Sequence, residues 1–310
     1  MKNKKKKQIP VIGQGISKRA GITIFTLVML IMGVIIVCYH NPLANQTDEL
    51  VKKIIACTLI AAAVIAFIKL YDKITLLPFE LYQNRRLIWR LAKNDFKRRY
   101  AGSYMGALWA MVQPVVTVVM YYIVFQVIMP QKAQLVGDGI EVPYLVFLTA
   151  GLVPWFYFSE ALVNGMMALL EYEYLVKKVV FKISILPIIK IIAATFIHGF
   201  FVLVLLIIAW CYGFTPSLYT LQIFYYSFCM FVLVLAISYT TCSVVIYFRD
   251  LQQIVSIALQ IGMWATPVLW YLGGFSKKAQ MLVKINPLVY IVEGYRSAIY
   301  EKQWFREDFY

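Results

Sequence analysis

Acidic and histidine side chains are scarce in this 310-residue chain, with 15 Asp and Glu against 30 Lys and Arg, and two His. His40 and His198 give a metal site little to work with. The five cysteines, Cys38, Cys57, Cys211, Cys229 and Cys242, lie in or beside apolar runs and form no CxxC pair, so they read as small packing residues. No GxxxxGK[ST] loop is present to cradle nucleotide phosphates, and no HExxH, GxSxG or Ser/His/Asp arrangement offers a nucleophile. No residue is therefore assigned a catalytic or metal-binding role. Internal repeats are lacking too, as is low-complexity sequence beyond the lysine-rich MKNKKKKQIP start. No small-residue cleavage site follows the first apolar run, which reads as a retained span rather than a removed signal peptide.

What is abundant is apolar sequence: 62% of the chain, with a mean hydropathy of +0.73. That exceeds the roughly 45–50% usual for soluble domains and indicates an all-α polytopic membrane protein. A span takes about 20 apolar residues. Candidates are 22–39, 54–70, 105–129, 143–168, 186–212, 219–247 and 252–272. The apolar stretch 286–300 holds Asn286-Pro287, Glu293 and Arg296, which makes it too short and polar to cross, so it reads as re-entrant or interfacial. Pro143 suits the first turn of its helix, and Pro154 should kink the same span. Thr266-Pro267 and Gly273-Gly274 end the 252–272 helix early and let the chain fold back.

Positive charge sets the orientation. With the N-terminus inside, segments 1–21, 69–104, 169–190 and 248–251 face the cytoplasm and carry 21 of the 30 basic residues. The bias is weakest at the ends, where Lys52-Lys53 and the last 35 residues fall outside. The formal charge of +15 thus reflects membrane orientation and anionic lipid, not nucleic acid.

Leu87–Pro114 is the most informative stretch. Arg86, Arg90, Lys93 and Lys97 form one helical stripe, and Leu87, Ile88, Leu91, Ala92 and Phe96 spread over the opposite side. Such a helix is expected in the membrane–water interface, apolar side in the acyl region and cations toward anionic headgroups. Arg98, Arg99 and Tyr100 continue it into a Tyr100–Ser103 turn and then a span, as a lever joined to a transmembrane helix would be built.

Ala168–Lys182 lies between two spans on the cytoplasmic side, with Glu171 and Glu173 early and Lys177, Lys178 and Lys182 late, as a short helix and its dipole favour. Tyr172, Tyr174 and Leu175 add apolar bulk, so the segment reads as a docking knob for a partner, or else as a solvated loop. Asp250 in Phe248-Arg249-Asp250 is placed to cap the following helix, unless the motif gates. Glu160 sits at membrane depth and is a functional candidate on that ground. Lys190 reads as a snorkelling side chain and His198 as a hydrogen-bonded core residue. Trp155, Phe156, Tyr157, Phe158, Trp264, Trp270 and Tyr271 gather near outer span ends, as an interfacial aromatic belt or a stacking surface for sugar rings.

Taken in order, Leu87–Pro114, Gly151-Leu152-Val153-Pro154-Trp155, Phe248-Arg249-Asp250-Leu251, Thr266-Pro267 and Asn286-Pro287 with Arg296 resemble ABC-2 type transport permeases. The likeness covers roughly 80–300 and is greatest to permeases exporting O-antigen, teichoic acid and related cell-wall glycans. It implies an amphipathic interface helix over Leu81–Tyr100, a coupling helix over Glu171–Lys182 and outer gate helices over Pro267–Tyr300. It further implies a multi-pass protein of the bacterial plasma membrane, with two copies of the permease bound to two cytoplasmic ATPase subunits that hold ATP and Mg. The cargo so implied is a lipid-linked glycan, with Trp155, Phe158, Glu160, Trp264, Pro267, Trp270, Asn286, Pro287 and Arg296 along the path or its gate. Three segments are expected: an extension over 1–75 with two spans that core family members usually lack, an interface helix over 76–104, and a core over 105–310. The core would have about five spans and a re-entrant segment, 273–300. The family usually ends with a sixth core helix returning to the cytoplasm; either that closing span is absent here or the span count above is off by one. A drug or lipid exporter of the same superfamily is the near alternative, and a membrane-embedded glycosyl- or acyltransferase the distant one.

Overall fold

The computed structural model describes residues 18–38, 46–99, 104–129, 133–136, 139–174 and 182–305. The chain divides into two compact units, Met1–Gln83 and Asn84–Tyr310.

The first unit is an antiparallel helical pair, α1 (Lys18–Cys38) and α2 (Gln46–Gln83). Their contacts run in register from one end to the other. Lys18 pairs with Asp72 at 2.6 Å, Phe25 stacks on Phe67 at 3.8 Å, and Gly33 faces Ile60. Among the described residues of α1 none is buried, and Leu27, Leu30, Ile31, Val34 and Ile35 are all exposed aliphatics, as lipid-facing positions would be.

The second unit opens with α3 (Arg85–Arg99) and α4 (Trp109–Tyr122), the latter running on as a π-helical stretch over Ile123–Ile128. A two-stranded hairpin, β1 (Gln134–Val136) with β2 (Ile140–Val142), pairs Leu135 with Glu141. Then come α5 (Tyr144–Glu171), α6 (Leu186–Cys211), α7 (Gln222–Val245) and α8 (Leu251–Ala265). Two short helices, α9 (Lys277–Val283) and α10 (Pro287–Arg296), follow, and a π turn over Ser297–Glu301 closes the described chain.

α5 is the hub. Pro143 sits immediately before it, where a missing N–H is harmless, and Pro154 lies inside it. Its 28 residues span about 42 Å. α6, α7 and α10 pack most extensively on it, and α4 and α8 also touch it. Gly165 permits the closest approach: a Cβ there would lie 2.4 Å from the Ser238 hydroxyl of α7, the small-residue contact that membrane helix pairs favour.

Among the described residues, five helices are long and apolar enough to cross a bilayer: α1, the 49–72 portion of α2, α5, 183–211 and 218–245. Two regions read as spans are shorter. Over 105–129 the apolar helix is Val115–Phe125. Over 252–272 the α-helix stops at Ala265, so it extends only about 22 Å. The reason is local: Thr266 precedes Pro267 and takes ψ 141°, the extended geometry a pre-proline residue prefers.

Candidate functional site: an ionic joint beneath α5 and an outer re-entrant seat

Where α5 ends, three helices meet over a buried ionic joint. Lys190, four residues into α6, donates to Asp95 of α3 at 2.7 Å and to Glu171, the last residue of α5, at 2.5 Å. Tyr172 donates its hydroxyl to the same Asp95 oxygen at 2.5 Å and lays its ring under the Lys190 ammonium at 4.8 Å. Asp95, Tyr172 and Lys190 are buried, whereas the Glu171 side chain is 49% exposed. Burial, followed by the bond donated to Asp95, raises the Tyr172 phenol well above its ordinary value, so it remains a donor. Next to it, Arg98 donates to the Tyr174 hydroxyl at 3.1 Å, a bond that also raises the arginine's pKa.

This geometry revises two readings of the sequence and adds a residue it did not single out. Lys190 does not snorkel to water; it is enclosed and doubly paired. Asp95 carries no motif, and its only clue was a lone carboxylate on the α6-facing side of a basic helix. Tyr172 is not bulk at a loop tip but a buried hydrogen-bond donor, while Tyr174 and Glu173 are exposed. Lys177 and Tyr100 lie outside the described residues, as does the side chain of Arg99.

The apolar face of α3 is also covered by protein rather than acyl chains. Ile88 and Ala92 are buried, and Trp89 and Phe96 both pack edge-on against Phe196 of α6, at 5.3 and 5.8 Å. Arg86, Arg90, Lys93, Lys97 and Arg98 are exposed.

At the other end of α5 a second enclosed seat is built from α8–α10. Asn286 caps α10 by accepting from the Leu288 N–H at 3.0 Å and donates to the Thr266 hydroxyl at 3.0 Å, fastening the start of α10 to the end of α8. Pro287 occupies the first helical position, and Pro267 is buried in the turn. Arg296 is fully enclosed. It donates to Glu293 at 2.7 Å and to the Val268 carbonyl at 2.9 Å, and its guanidinium lies 3.7 Å above the Phe147 ring of α5. Its neighbour Tyr295 points to the other side, where its hydroxyl meets His198 at 2.9 Å and Ser227 at 2.5 Å. Tyr157 stacks on the His198 ring at 4.4 Å and is hydrogen-bonded to Thr195.

Of the other path candidates, Trp155 and Phe158 are buried inside the unit, with Trp155 against Gly262 of α8. Glu160 is half-buried. Trp264 is 66% exposed, and its carbonyl accepts from the half-buried Trp270 indole at 3.0 Å. Asp250 holds the N-cap position of α8 but makes no side-chain cap bond.

Comparison with known proteins places this architecture. Residues 86–300 match the family described as ABC-2 type transporter. An O-antigen export system permease protein RfbA from Myxococcus xanthus is 29% identical over 224 residues, covering 72% of this chain and 83% of the relative. Two Klebsiella pneumoniae proteins of the same description are 26% and 25% identical over 211 residues, covering 67% of this chain and 77% of each relative.

Proposed function

From the premise that the chain belongs to the ABC-2 type transporter family, we propose that it is the permease of an exporter that moves a lipid-linked surface polysaccharide, of O-antigen or teichoic acid type, across the bacterial inner membrane. The relatives are described as O-antigen export permeases, which supports the cargo class. The family implies an ABC ATPase partner. In this reading two permease copies pair with two ATPase subunits. ATP and Mg are held by those subunits, since this sequence has no P-loop of its own. This chain performs no covalent chemistry; it converts motion at its cytoplasmic face into passage.

The observation that carries the reading is the joint at Lys190. A partner pushing on the segment after Glu171 would act on a side chain that shares one ammonium with the interface helix. Displacing Glu171 would therefore change the hold on α3 and on α6 together, without needing either helix to deform. Two of the three ionic groups are buried, so the bond between α3 and α6 is retained while the exposed carboxylate moves.

The test is ATP-driven export of glycan in cells that also express the ATPase. Replacing Glu171 and Glu173 with lysine is expected to leave the permease in the membrane and abolish export, with ATP hydrolysis continuing uncoupled. Export at the wild-type rate would remove the coupling role. Export of hydrophobic drugs but not glycan by the wild-type pair would redirect the cargo assignment.

A further inference from the structure

α10 is held on its two sides by bonds of different kinds. Toward α5 the hold is charge. Arg296 is enclosed with Glu293, donates to the Val268 carbonyl and covers the Phe147 ring. Gly151 of α5 leaves the room for this: a Cβ there would lie 2.7 Å from the Val268 carbonyl oxygen and 3.1 Å from the guanidinium. Toward α6 and α7 the hold is a set of neutral hydrogen bonds. Tyr295 meets His198 and Ser227. Past the end of α10, the buried Gln222 amide of α7 donates to the Gln303 carbonyl at 2.8 Å and accepts from the Phe305 N–H at 2.7 Å. Ser297 donates to the same Gln303 carbonyl at 3.3 Å.

His198 Nε2, the Tyr295 hydroxyl and the Ser227 hydroxyl form a triangle. Nε2 lies 2.9 Å from Tyr295 and 3.1 Å from Ser227, and the two hydroxyls are 2.5 Å apart. His198 is 5% exposed, and its Nδ1 has no hydrogen-bond partner among the described residues. One ring nitrogen therefore carries the whole polar link from α6. A triangle can lose one corner and stay paired. If Tyr295 moves away, His198 and Ser227 still hold each other, so neither is left buried without a partner. Opening at Arg296 has no such relief, because Glu293 would stay enclosed without its counter-charge. Neutral hydrogen bonds exchange partners at a far smaller net cost. Of the two sides of α10, the Tyr295 side opens first.

We propose that His198 is a positioning residue for export: through Nε2 it latches Tyr295, and so α10, to α6 and α7, and release of this latch lets α10 turn about the fixed Arg296 seat. The imidazole acts through Tyr295 and not on the cargo. Its role depends on reach. Glutamine can place its amide where Nε2 stands, whereas asparagine extends only as far as Nδ1. That the latch serves transport rests on the export reading; that it exists does not.

The test compares His198→Gln, His198→Asn and Tyr295→Phe in the full chain. Amide hydrogen exchange of 287–301 is expected to quicken about tenfold in His198→Asn and in Tyr295→Phe, the effect of one lost hydrogen bond, and to stay at the wild-type rate in His198→Gln. Combining His198→Asn with Tyr295→Phe should add nothing further, because both remove the same bond. Wild-type exchange in α5 shows that each variant is folded. Should a histidine variant fail that check, Tyr295→Phe decides alone, since it deletes one hydroxyl and leaves His198 paired with Ser227. With the ATPase coexpressed, glycan exported per ATP hydrolysed should fall about tenfold in the two latch-breaking variants and recover in His198→Gln. Gln and Asn both lose the ring stacked on Tyr157, so packing alone would not separate them. Folded Gln and Asn variants that exchange alike, or a Tyr295→Phe chain that keeps 287–301 protected, would overturn the latch. If exchange responds and export per ATP does not, His198 is merely structural and the positioning role falls. A wild-type pair that exports no glycan would overturn the export reading instead, and the exchange comparison would still decide the latch.

Discussion

The two ends of α5 hold buried charge in opposite ways. At its C-terminal end, one ammonium is shared by two carboxylates on different helices, and one of these is half in water. Near its N-terminal end, Arg296 and Glu293 face each other three residues apart on a single helix, both 1% exposed, with the guanidinium also bound to a carbonyl and a ring. The first arrangement can exchange a partner with solvent at little loss, because exposed pairs contribute only about 0–1 kcal/mol. The second cannot be opened piecemeal, because an uncompensated buried charge costs several kcal/mol. One end is thus adjustable and the other all-or-none.

The comparison breaks most sharply at Arg296. Arg296→Met leaves Glu293 buried with its partner gone and should destabilise the second unit by about 3–5 kcal/mol. The check is the thermal midpoint in detergent, and adding Glu293→Gln to Arg296→Met should recover most of the loss. If the single change is harmless, the outer seat is not the locked end. Gly294 gives a second, smaller probe of the same seat. A Cβ there would come within 2.2 Å of the enclosed Tyr226 ring, so Gly294→Ala should destabilise by about 1–3 kcal/mol, as overpacking does. Hydrogen exchange should localise that loss to 287–301.

At the inner end the asymmetry predicts unequal effects from partners of one lysine. Asp95→Asn removes the buried carboxylate, and Glu171→Gln the half-exposed one. The first should lower the midpoint by the equivalent of about 2 kcal/mol, the second by less than about 1 kcal/mol. Equal effects would mean that Glu171 is as fixed as Asp95, and the adjustable joint would lose its basis.

Much of this was legible in the sequence, and the misses share a cause. The basic stripe and the fold-back at Thr266-Pro267 were visible because they depend on periodicity and backbone restriction, both local quantities. Asp95 was not visible as a site because its role comes from Lys190, 95 residues away. The apolar side of α3 was legible, but not its cover: an amphipathic helix looks the same whether lipid or another helix buries it. Tyr295, between Glu293 and Arg296, carries no local signal of its role, although it joins α10 to His198 and Ser227. Tyrosine is common in this chain, with 22 copies, and nothing nearby in sequence distinguishes the one that bridges three helices.

The last expected effect concerns Tyr172. Its hydroxyl serves Asp95, and removing it in Tyr172→Phe leaves Lys190 still paired to that carboxylate, so the loss should be about 1 kcal/mol. The pH dependence sharpens the point. Burial, then the bond to Asp95, raises the folded phenol above the ordinary tyrosine value of 10.0. Below that value both folded and unfolded chains hold the proton, and the contribution is fully present. Above it the unfolded chain releases the proton while the folded one keeps it, so stability falls as pH rises. The wild type should therefore lose midpoint more steeply than Tyr172→Phe between about pH 10 and the raised folded value, and the two curves should run parallel below about pH 9. Parallel curves throughout would mean that this phenol is solvated, and that the inner joint is open to water on the Asp95 side as well as at Glu171.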